Sequence, residues 1–260
     1  MLCKGMASST ETTWSGEITE TDFRSNHITS AGVKWLDHIP LQILQQIKHL
    51  DLGANEVDTL INFSGVIPKL TSLEELYLYS NPIGEGGAVE VLKCLHHYKT
   101  PLKTLDLQDT GVGEEDSVAL IQLIGNNTLE TLGISGDLLP FIVKCPLPNS
   151  TLQTLYMSAS SLSEEAAMCL ASLLQQSALQ FRELGISECG VTSEGAVQLA
   201  RALTNNHWLT TLHMWRNSIG AEGATAMGKM LEENRTLQEL DLRGDQSLGE
   251  GVDVLISSLQ

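Results

Sequence analysis

A single phrase, Leu-x-x-Leu-x-Leu-x-x-Asn-x-Ile/Val, recurs along the 260 residues of this chain and constrains its fold more than any other feature. Copies of the phrase, or of its first half, begin at positions 18, 47, 73, 102, 129, 152, 181, 209 and 237. The intervals between them are 29, 26, 29, 27, 23, 29, 28 and 28 residues. Because a fixed period of this size is the signature of a solenoid, the sequence predicts a stack of about nine repeats of about 28 residues.

A second pattern, a Gly-Ala pair followed by apolar residues three and four apart, comes after several copies of the phrase. It occurs in GEGGAVEVL (84–92), SEGAVQLARAL (193–203) and AEGATAMGKML (221–231), while SEEAAMCLASLL (163–174) has alanine in place of the glycine. Apolar residues at these spacings lie on one stripe of a helix. Ser163, Thr192 or Ser193 can cap the N-terminus of such a helix. Each repeat is therefore predicted to be a strand followed by a helix.

The geometry of the stack follows from these two patterns. In the Leu-x-Leu core of each phrase, the leucines point into the protein and the residues between them point out. One repeat cannot bury its strand face and its helix stripe alone, so the strands align as a parallel sheet and the helices cover one side. Because a helix is about 10 Å wide and strands are about 4.8 Å apart, the stack curves. The expected fold is an α/β solenoid with a concave parallel sheet and convex helices.

The ninth position of the phrase is filled mainly by short polar residues. A side chain that turns inward there can bond backbone groups of the loop, which would otherwise be buried unpaired. The presence of Cys189 at this position favours a structural role over a reactive thiol. The residues at this position are Asn26, Asn55, Asn81, Thr110, Asp137, Ser160, Cys189, Asn217 and Asp245.

Two stretches depart from the repeat. Residues 1–16 are rich in Ser and Thr and carry no phrase, so we expect a leader or an irregular cap before a repeat domain at 17–260. The repeat at 129–151 is short and contains Pro140, Pro146 and Pro148. Because proline excludes a regular helix, we expect the convex helix of this repeat to be shortened or replaced by a loop.

The charge of the chain narrows the choice of partner. Thirty-two Asp and Glu stand against fifteen Lys and Arg, which gives a formal net charge of −17. Such a field repels phosphate backbones and anionic membranes and favours basic partners. The sequence therefore argues against nucleic acid and membrane and for a protein partner, with a basic protein as one option. Solubility alone is an equally good explanation of the charge, and the sequence carries no signal for an oligomeric state.

Cysteine usage indicates a reducing compartment. The chain has five cysteines and no Cys-x-x-Cys pair or Cys/His cluster, which argues against a disulfide framework or a structural zinc site. Its N-terminus lacks the apolar core of a signal peptide, and no apolar run approaches the length of a membrane span. We expect a cytoplasmic protein.

Catalytic patterns are missing from the sequence. Neither Gly-x-Ser-x-Gly nor His-Glu-x-x-His occurs, and no pair of residues has metal-ligand spacing. His96 and His97 are adjacent, so they face different sides of a helix end and cannot easily share a metal. We expect a protein that is not an enzyme and has no cofactor or metal.

Residues between and just after the strand leucines project onto the concave face. Several of them are aromatic or arginine, which are the usual anchors of protein interfaces. Ordinary packing along the sheet is the competing interpretation. The two interpretations weigh equally for Tyr79 and Trp215, and packing is favoured for Tyr156. The candidate binding residues are Tyr77, Tyr79, Asp106, Gln108, Tyr156, His213, Trp215, Arg216, Asp241 and Arg243.

Repeats of 28–29 residues with such helices resemble the ribonuclease-inhibitor-like leucine-rich repeats. They are most similar to the repeats at the C-terminus of NACHT-containing innate-immune receptors, the NOD-like receptors, and the resemblance covers about residues 18–260. It implies a protein-protein interaction module, a ligand-sensing or regulatory domain that binds through its concave face. The GxxxxGK[ST] phosphate loop of a nucleotide-binding domain does not occur. The alternative is a regulator of an enzyme, either a GTPase activator of the Ran type or a ribonuclease inhibitor.

Overall fold

Nine short parallel strands form one sheet, in chain order from β1 to β9. The computed structural model describes residues 17–126, 128–144, 151–157, 162–175 and 180–258. The predicted leader at 1–16 lies outside the described residues. The strands confirm the predicted stack of repeats. They are β1 (Glu20–Asp22), β2 (His49–Asp51), β3 (Glu75–Tyr77), β4 (Thr104–Asp106), β5 (Thr131–Gly133), β6 (Thr154–Tyr156), β7 (Glu183–Gly185), β8 (Thr211–His213) and β9 (Glu239–Asp241).

The strands pair in one constant register. The middle residue of each strand is aligned with the middle residue of the next, as in Leu50 opposite Leu76 and Leu76 opposite Leu105. From β2 to β8 these leucines are at most 2% exposed, so they form a continuous buried ladder. In β1 the position is filled by Thr21, whose hydroxyl donates to the carbonyl of His49 at 3.1 Å. A polar residue is tolerated there because β1 is the edge strand of the sheet and the hydroxyl is bonded.

Helices cover the other side of the sheet, as the apolar stripes predicted. In α7 the stripe Ala196, Leu199, Ala200 and Leu203 is buried, and the Thr192 side chain caps the first turn. Within the described ranges the helices are α1 (Ser30–Val33), α2 (Leu41–Leu44), α3 (Val89–His97), α4 (Glu114–Ile124), α5 (Leu139–Val143), α6 (Glu164–Gln175), α7 (Ser193–Thr204), α8 (Gly220–Glu233) and α9 (Gly251–Ser258).

The Gly-Ala pairs set how closely neighbouring helices pack. A Cβ added to Gly223 at the start of α8 would lie 2.8 Å from the Cβ of Ala196 in α7. A Cβ on Gly251 would lie 2.5 Å from the Cβ of Ala224 in the same way. Real Cβ atoms do not approach this closely, so each glycine is required by the alanine of the preceding helix. The small residues therefore serve contact between adjacent repeats.

The second repeat has no convex α-helix. Residues 52–74, all of them described, form turns and a 3-10 helix at Ile67–Lys69. The prediction of a helix in each regular repeat is wrong here. Gly65 and Pro68 both disfavour an α-helix, and Pro68 also lacks a backbone N–H. Phe63 is fully buried, so the apolar core is filled without the helix.

The fifth repeat carries the shortest of the helices that follow β3 in the described chain. Helix α5 spans five residues, with Pro140 in its first turn, where the missing N–H has no intrahelical acceptor. Leu139 and Ile142 bury its inner side. The remainder of the proline-containing stretch, 145–150, lies outside the described residues, including Pro146 and Pro148.

Asparagines at the ninth phrase position bond backbone groups of the loop, as the sequence predicted, and they also link neighbouring repeats. The Asn81 amide donates to the carbonyls of Leu52 (2.9 Å), Leu78 (2.9 Å) and Tyr79 (3.2 Å). Its Oδ1 accepts from the N–H of Val57 at 3.0 Å. Because Leu52 and Val57 belong to the preceding repeat, one buried side chain bonds the backbone of two repeats.

Other residues at the same position behave differently. Cys189 is buried and its thiol donates to the carbonyl of Met157 at 2.9 Å, which agrees with the structural role predicted for it. Asp137 is exposed and lies in a 3-10 helix at Gly136–Leu138, so the expected inward turn is wrong there. The short fifth repeat turns directly into this helix after β5. Ser160 lies outside the described residues.

Candidate protein-binding surface

The sheet face opposite the helices presents three rows of side chains. The sequence predicted two of them, the row that contains Tyr77 and Asp106 and the row that contains Tyr79 and Gln108. The structure adds a third row, formed by the first residue of each strand, which lies two residues before the row of Tyr77 and Asp106. Its members are Glu20, His49, Glu75, Thr104, Thr131, Thr154, Glu183, Thr211 and Glu239. We call the three rows together the concave surface.

The third row matters because it pairs with two of the predicted tyrosines. The Tyr77 hydroxyl donates to Oε2 of Glu75 at 3.1 Å, and Nδ1 of His49 lies 2.8 Å from the same oxygen. The rings of His49 and Tyr77 are 5.1 Å apart. Sequence reasoning missed Glu75 and His49, although the two-residue period of a strand contained the signal.

A similar group forms three strands further on. The Tyr156 hydroxyl donates to Oε1 of Glu183 at 2.6 Å. Nε2 of His213 lies 3.4 Å from the same carboxylate oxygen. Glu183, also missed by sequence reasoning, therefore joins two predicted residues that stand on β6 and β8. Because its hydroxyl is engaged within the sheet, Tyr156 is held in place, which suits the packing interpretation.

Both tyrosine hydroxyls resist ionisation. Burial raises the pKa of Tyr77 from 10.0 to about 12, with a further contribution from the neighbouring Glu75 carboxylate. Burial, followed by the Glu183 carboxylate, also raises the pKa of Tyr156. At neutral pH both phenols are protonated donors, so the concave surface presents neutral aromatic groups beside carboxylates.

We expect the Tyr77→Phe substitution to remove an ionisation near pH 12 from the alkaline titration followed by phenolate absorbance. Because the pKa is raised in the folded state, the stabilisation is complete below pH 10.0 and is lost as the pH rises through about 12. Tyr98→Phe, at an exposed position, is the control and should leave that ionisation in place. An unchanged late ionisation in Tyr77→Phe would contradict the assignment.

The Tyr79 ring lies over Gly53, two residues past the end of β2, where the chain has no side chain. A Cβ on Gly53 would collide with Cε1 and Cζ of the Tyr79 ring. The ring is half-buried. Glycine at position 53 therefore sets the orientation of a predicted binding residue on the next strand.

Asp106 and Gln108 form a polar pair over another glycine. Oδ1 of Asp106 accepts from the backbone N–H of Gln108 at 2.9 Å, and the Gln108 amide lies 3.2 Å from each carboxylate oxygen. A Cβ on Gly133 would collide with Oδ1 of Asp106. The carboxylate thus leans across β5 into space that glycine leaves open.

The C-terminal end of the concave surface combines an aromatic ring with two arginines. The Arg216 guanidinium lies 5.3 Å from the centre of the Trp215 ring and 3.3 Å from Oε1 of Glu188. Arg243 binds Asp241 with two bonds, of 2.9 and 2.7 Å, which lowers the pKa of Asp241. A shallow pocket of about 360 Å³ lies between Trp215, Arg216, Arg243 and Gly244.

The ten predicted residues fall into two groups on one surface. Tyr77, Tyr79, Asp106 and Gln108 lie on β3 and β4 or just after them, and His213 to Arg243 belong to β8, β9 and the turns that follow. At about 4.8 Å per strand, β3 and β9 are about 29 Å apart. Tyr156 stands between the groups. The role of these residues in binding remains a prediction.

The part of the chain that the structure describes contains no group of three or more His, Cys, Asp or Glu that could hold a metal ion. In the same residues, no helix is both long and apolar enough to cross a membrane.

Sequence comparisons with known proteins agree with this architecture. A family model described as Leucine Rich repeat matches residues 205–228, which include β8 and the first part of α8. A ribonuclease inhibitor of Sus scrofa is 27% identical over 93% of this chain and 55% of that protein. NACHT, LRR and PYD domains-containing protein 3 of Bos taurus is 24% identical over 93% of this chain and 21% of that protein. Among solved structures, the leiomodin-1 actin-binding site 2 aligns at a TM-score of 0.40 with 17% identity, over 65% of this chain and 88% of that chain.

The sheet, the helices and the asparagine ladder, together with the family match over residues 205–228, define a leucine-rich-repeat solenoid. Its sequence is similar both to ribonuclease inhibitors and to NACHT, LRR and PYD domains-containing proteins. The chain spans about half the length of the ribonuclease inhibitors it matches, at 55% and 54%.

Proposed function

We propose that this chain is a ligand-sensing or regulatory repeat domain of the NOD-like-receptor type, which binds a protein through its concave surface in the cytoplasm. The observation that carries the proposal is the set of half-buried ring side chains that stand along the sheet, at Tyr77, Tyr79, Tyr156, His213 and Trp215. Partly exposed rings on a rigid sheet bind with little loss of side-chain entropy. The surface would act by binding.

Charge supports a basic partner. The chain carries a formal net charge of −17, and carboxylates recur across the concave surface. Those of Asp51, Glu75, Asp106 and Glu183 stand on four of the inner strands. Complementary charge steers association and selects partners more than it adds affinity. A basic protein would therefore be captured faster at low salt than at high salt.

Inhibition of a basic enzyme is the second candidate. Relatives named ribonuclease inhibitor match 93% of this chain, which favours this candidate over activation of a GTPase. A GTPase activator can supply an arginine to the nucleotide, and Arg216 is the arginine of this surface that lies beside the Trp215 ring. It is engaged by Glu188 and by the Trp215 ring, so it is not held out toward a nucleotide.

We expect a double substitution, Tyr79→Ala with Trp215→Ala, to abolish capture of a protein partner by the immobilised chain. Aromatic anchors contribute about 2 kcal/mol each at an interface, so the two together weaken binding by about a thousandfold. Binding of captured proteins, and of a pancreatic ribonuclease as a basic test protein, is measured by calorimetry. Inhibition of ribonuclease activity and stimulation of GTP hydrolysis are assayed in parallel.

A matched control uses the same residue types away from the sheet. Tyr98 and Trp35 are 54% and 59% exposed and lie outside the concave surface. The double substitution Tyr98→Ala with Trp35→Ala should leave binding unchanged. Equal binding by wild type and by the folded Tyr79/Trp215 variant, checked by circular dichroism, would show that the concave surface is not the binding face.

A further inference from the structure

The row of the concave surface that contains Tyr77 and Asp106 includes three aspartates that are followed, two positions later, by a polar residue. In the first repeat Arg24 binds Asp22, with its Nε 2.9 Å from the carboxylate. In the ninth repeat Arg243 binds Asp241 with bonds of 2.9 and 2.7 Å. In the fourth repeat the residue two positions after Asp106 is a glutamine. The first and ninth repeats therefore place a guanidinium beside this aspartate, and the fourth repeat does not.

Asp106 consequently has no cationic neighbour among the residues that the structure describes. Within the described ranges no Lys, Arg or His forms an ion pair with the Asp106 carboxylate, and its hydrogen bonds come from the Gln108 backbone and side chain. Burial, with a smaller contribution from the Asp51 carboxylate, raises the pKa of Asp106. The arginines lower the pKa of Asp22 and of Asp241. In the described structure, therefore, no cationic side chain compensates the negative charge of Asp106.

The surroundings of Asp106 suit a planar cation. The Asp106 carboxylate and the Gln108 amide fill the space over Gly133 on the β5 side, and the Tyr77 ring stands on the β3 side at the aligned position. Oε1 of Gln108 is buried and has no hydrogen-bond partner in the described structure. A guanidinium offers five N–H donors in one plane and stacks on aromatic faces. It could bond both Asp106 oxygens in place of the Gln108 amide while it lies against Tyr77.

We propose that Asp106, Gln108 and Tyr77 form a socket for an arginine side chain of the bound protein. The partner would complete in the fourth repeat the Asp–Arg pair that the first and ninth repeats make internally. This inference rests on the proposed function, because it assumes a protein docked on the concave surface. It names one contact by which a basic partner would be recognised.

The test is to supply the missing guanidinium from the chain itself. The substitution Gln108→Arg recreates the sequence pattern of Asp22–Arg24 and Asp241–Arg243. The probe is a blocked peptide of alternating glycine and arginine, compared with its lysine and citrulline versions. We expect wild type to bind the arginine peptide at least about tenfold more tightly than the citrulline peptide. Gln108→Arg and Asp106→Asn should each lose at least about tenfold in affinity for the arginine peptide.

The control and the site-specific readout separate the socket from general charge. Asp109→Asn removes one negative charge at an exposed turn position three residues from Asp106 and should leave affinity unchanged. Carboxyl NMR of wild type should show the pKa of Asp106 falling when the arginine peptide is added, and lying low in Gln108→Arg without peptide. An unmoved Asp106 signal in wild type, or equal binding of the arginine and lysine peptides, would overturn the arginine socket.

The outcomes also distinguish this inference from the proposed function. If Tyr79→Ala with Trp215→Ala abolishes partner binding while Gln108→Arg, shown to be folded, binds the partner and the peptide like wild type, the concave surface stands and the socket falls. If the peptide binds at Asp106 while the double substitution leaves partner binding intact, Asp106 stands as an arginine-binding site and the proposal that the partner docks through Tyr79 and Trp215 falls.

Discussion

Replacing Asn81 with alanine is expected to lower the free energy of unfolding by about 3 kcal/mol. The side chain is 1% exposed and makes four hydrogen bonds to backbone groups. Alanine cannot replace them, and the pocket is too enclosed for each group to recover a bond to bulk water. The Val57 N–H and the Leu52 carbonyl belong to the preceding repeat, so the substitution also loosens the contact between two repeats.

Urea unfolding followed by far-ultraviolet circular dichroism measures this effect. Asn26→Ala is the matched control, because Asn26 occupies the same phrase position in the first repeat and is exposed. Its amide donates to the nearby carbonyls of Phe23 and Arg24, which can accept hydrogen bonds from water instead. We expect the control to cost less than about 1 kcal/mol. Equal losses for the two variants would refute the interpretation that the buried asparagine links adjacent repeats.

The second large effect is expected at Asp116, which is fully buried at the start of α4. Its Oδ2 accepts from the N–H of Gly86 (2.8 Å) and of Gly113 (3.1 Å), and its Oδ1 accepts from the N–H of Ala88 (3.0 Å). One carboxylate thus caps its own helix and holds the loop that leads into α3. Asp116→Ala leaves three backbone donors without this acceptor and should destabilise the fold by about 3 kcal/mol or more.

Glu114→Ala provides the comparison for Asp116. Glu114 lies in the same first turn of α4 and carries the same charge, but it is exposed. The favourable interaction of an exposed carboxylate with the helix N-terminus amounts to about 0.5 kcal/mol. A thermal or urea unfolding experiment should therefore show a loss several times larger for Asp116→Ala. Similar losses would mean that Asp116 acts through its charge alone.

Periodicity predicted the parts of the fold that depend on neighbours in sequence. The Leu-x-Leu cores, the buried leucine ladder and the α7 cap at Thr192 all follow from patterns within one repeat. The prediction of a helix in the second repeat is wrong because its 26 residues include Gly65 and Pro68, which both disfavour an α-helix. The prediction that Asp137 turns inward is wrong because the shortened fifth repeat enters the 3-10 helix at Gly136–Leu138 soon after β5.

The sequence by itself determined that this chain is a stack of strand–helix units and which strand residues face away from the helices. Both properties are local, since they depend on periods of about two and about 3.6 residues. Only the tertiary structure decided which side chains meet across repeats. Glu75 beneath Tyr77 and His49, the Tyr79 ring over Gly53, Asp106 over Gly133 and Asp116 on the α3 loop all depend on groups that lie up to about 30 residues apart in sequence. Their contacts are set by the register between stacked repeats, and no pattern within a single repeat specifies that register in atomic detail.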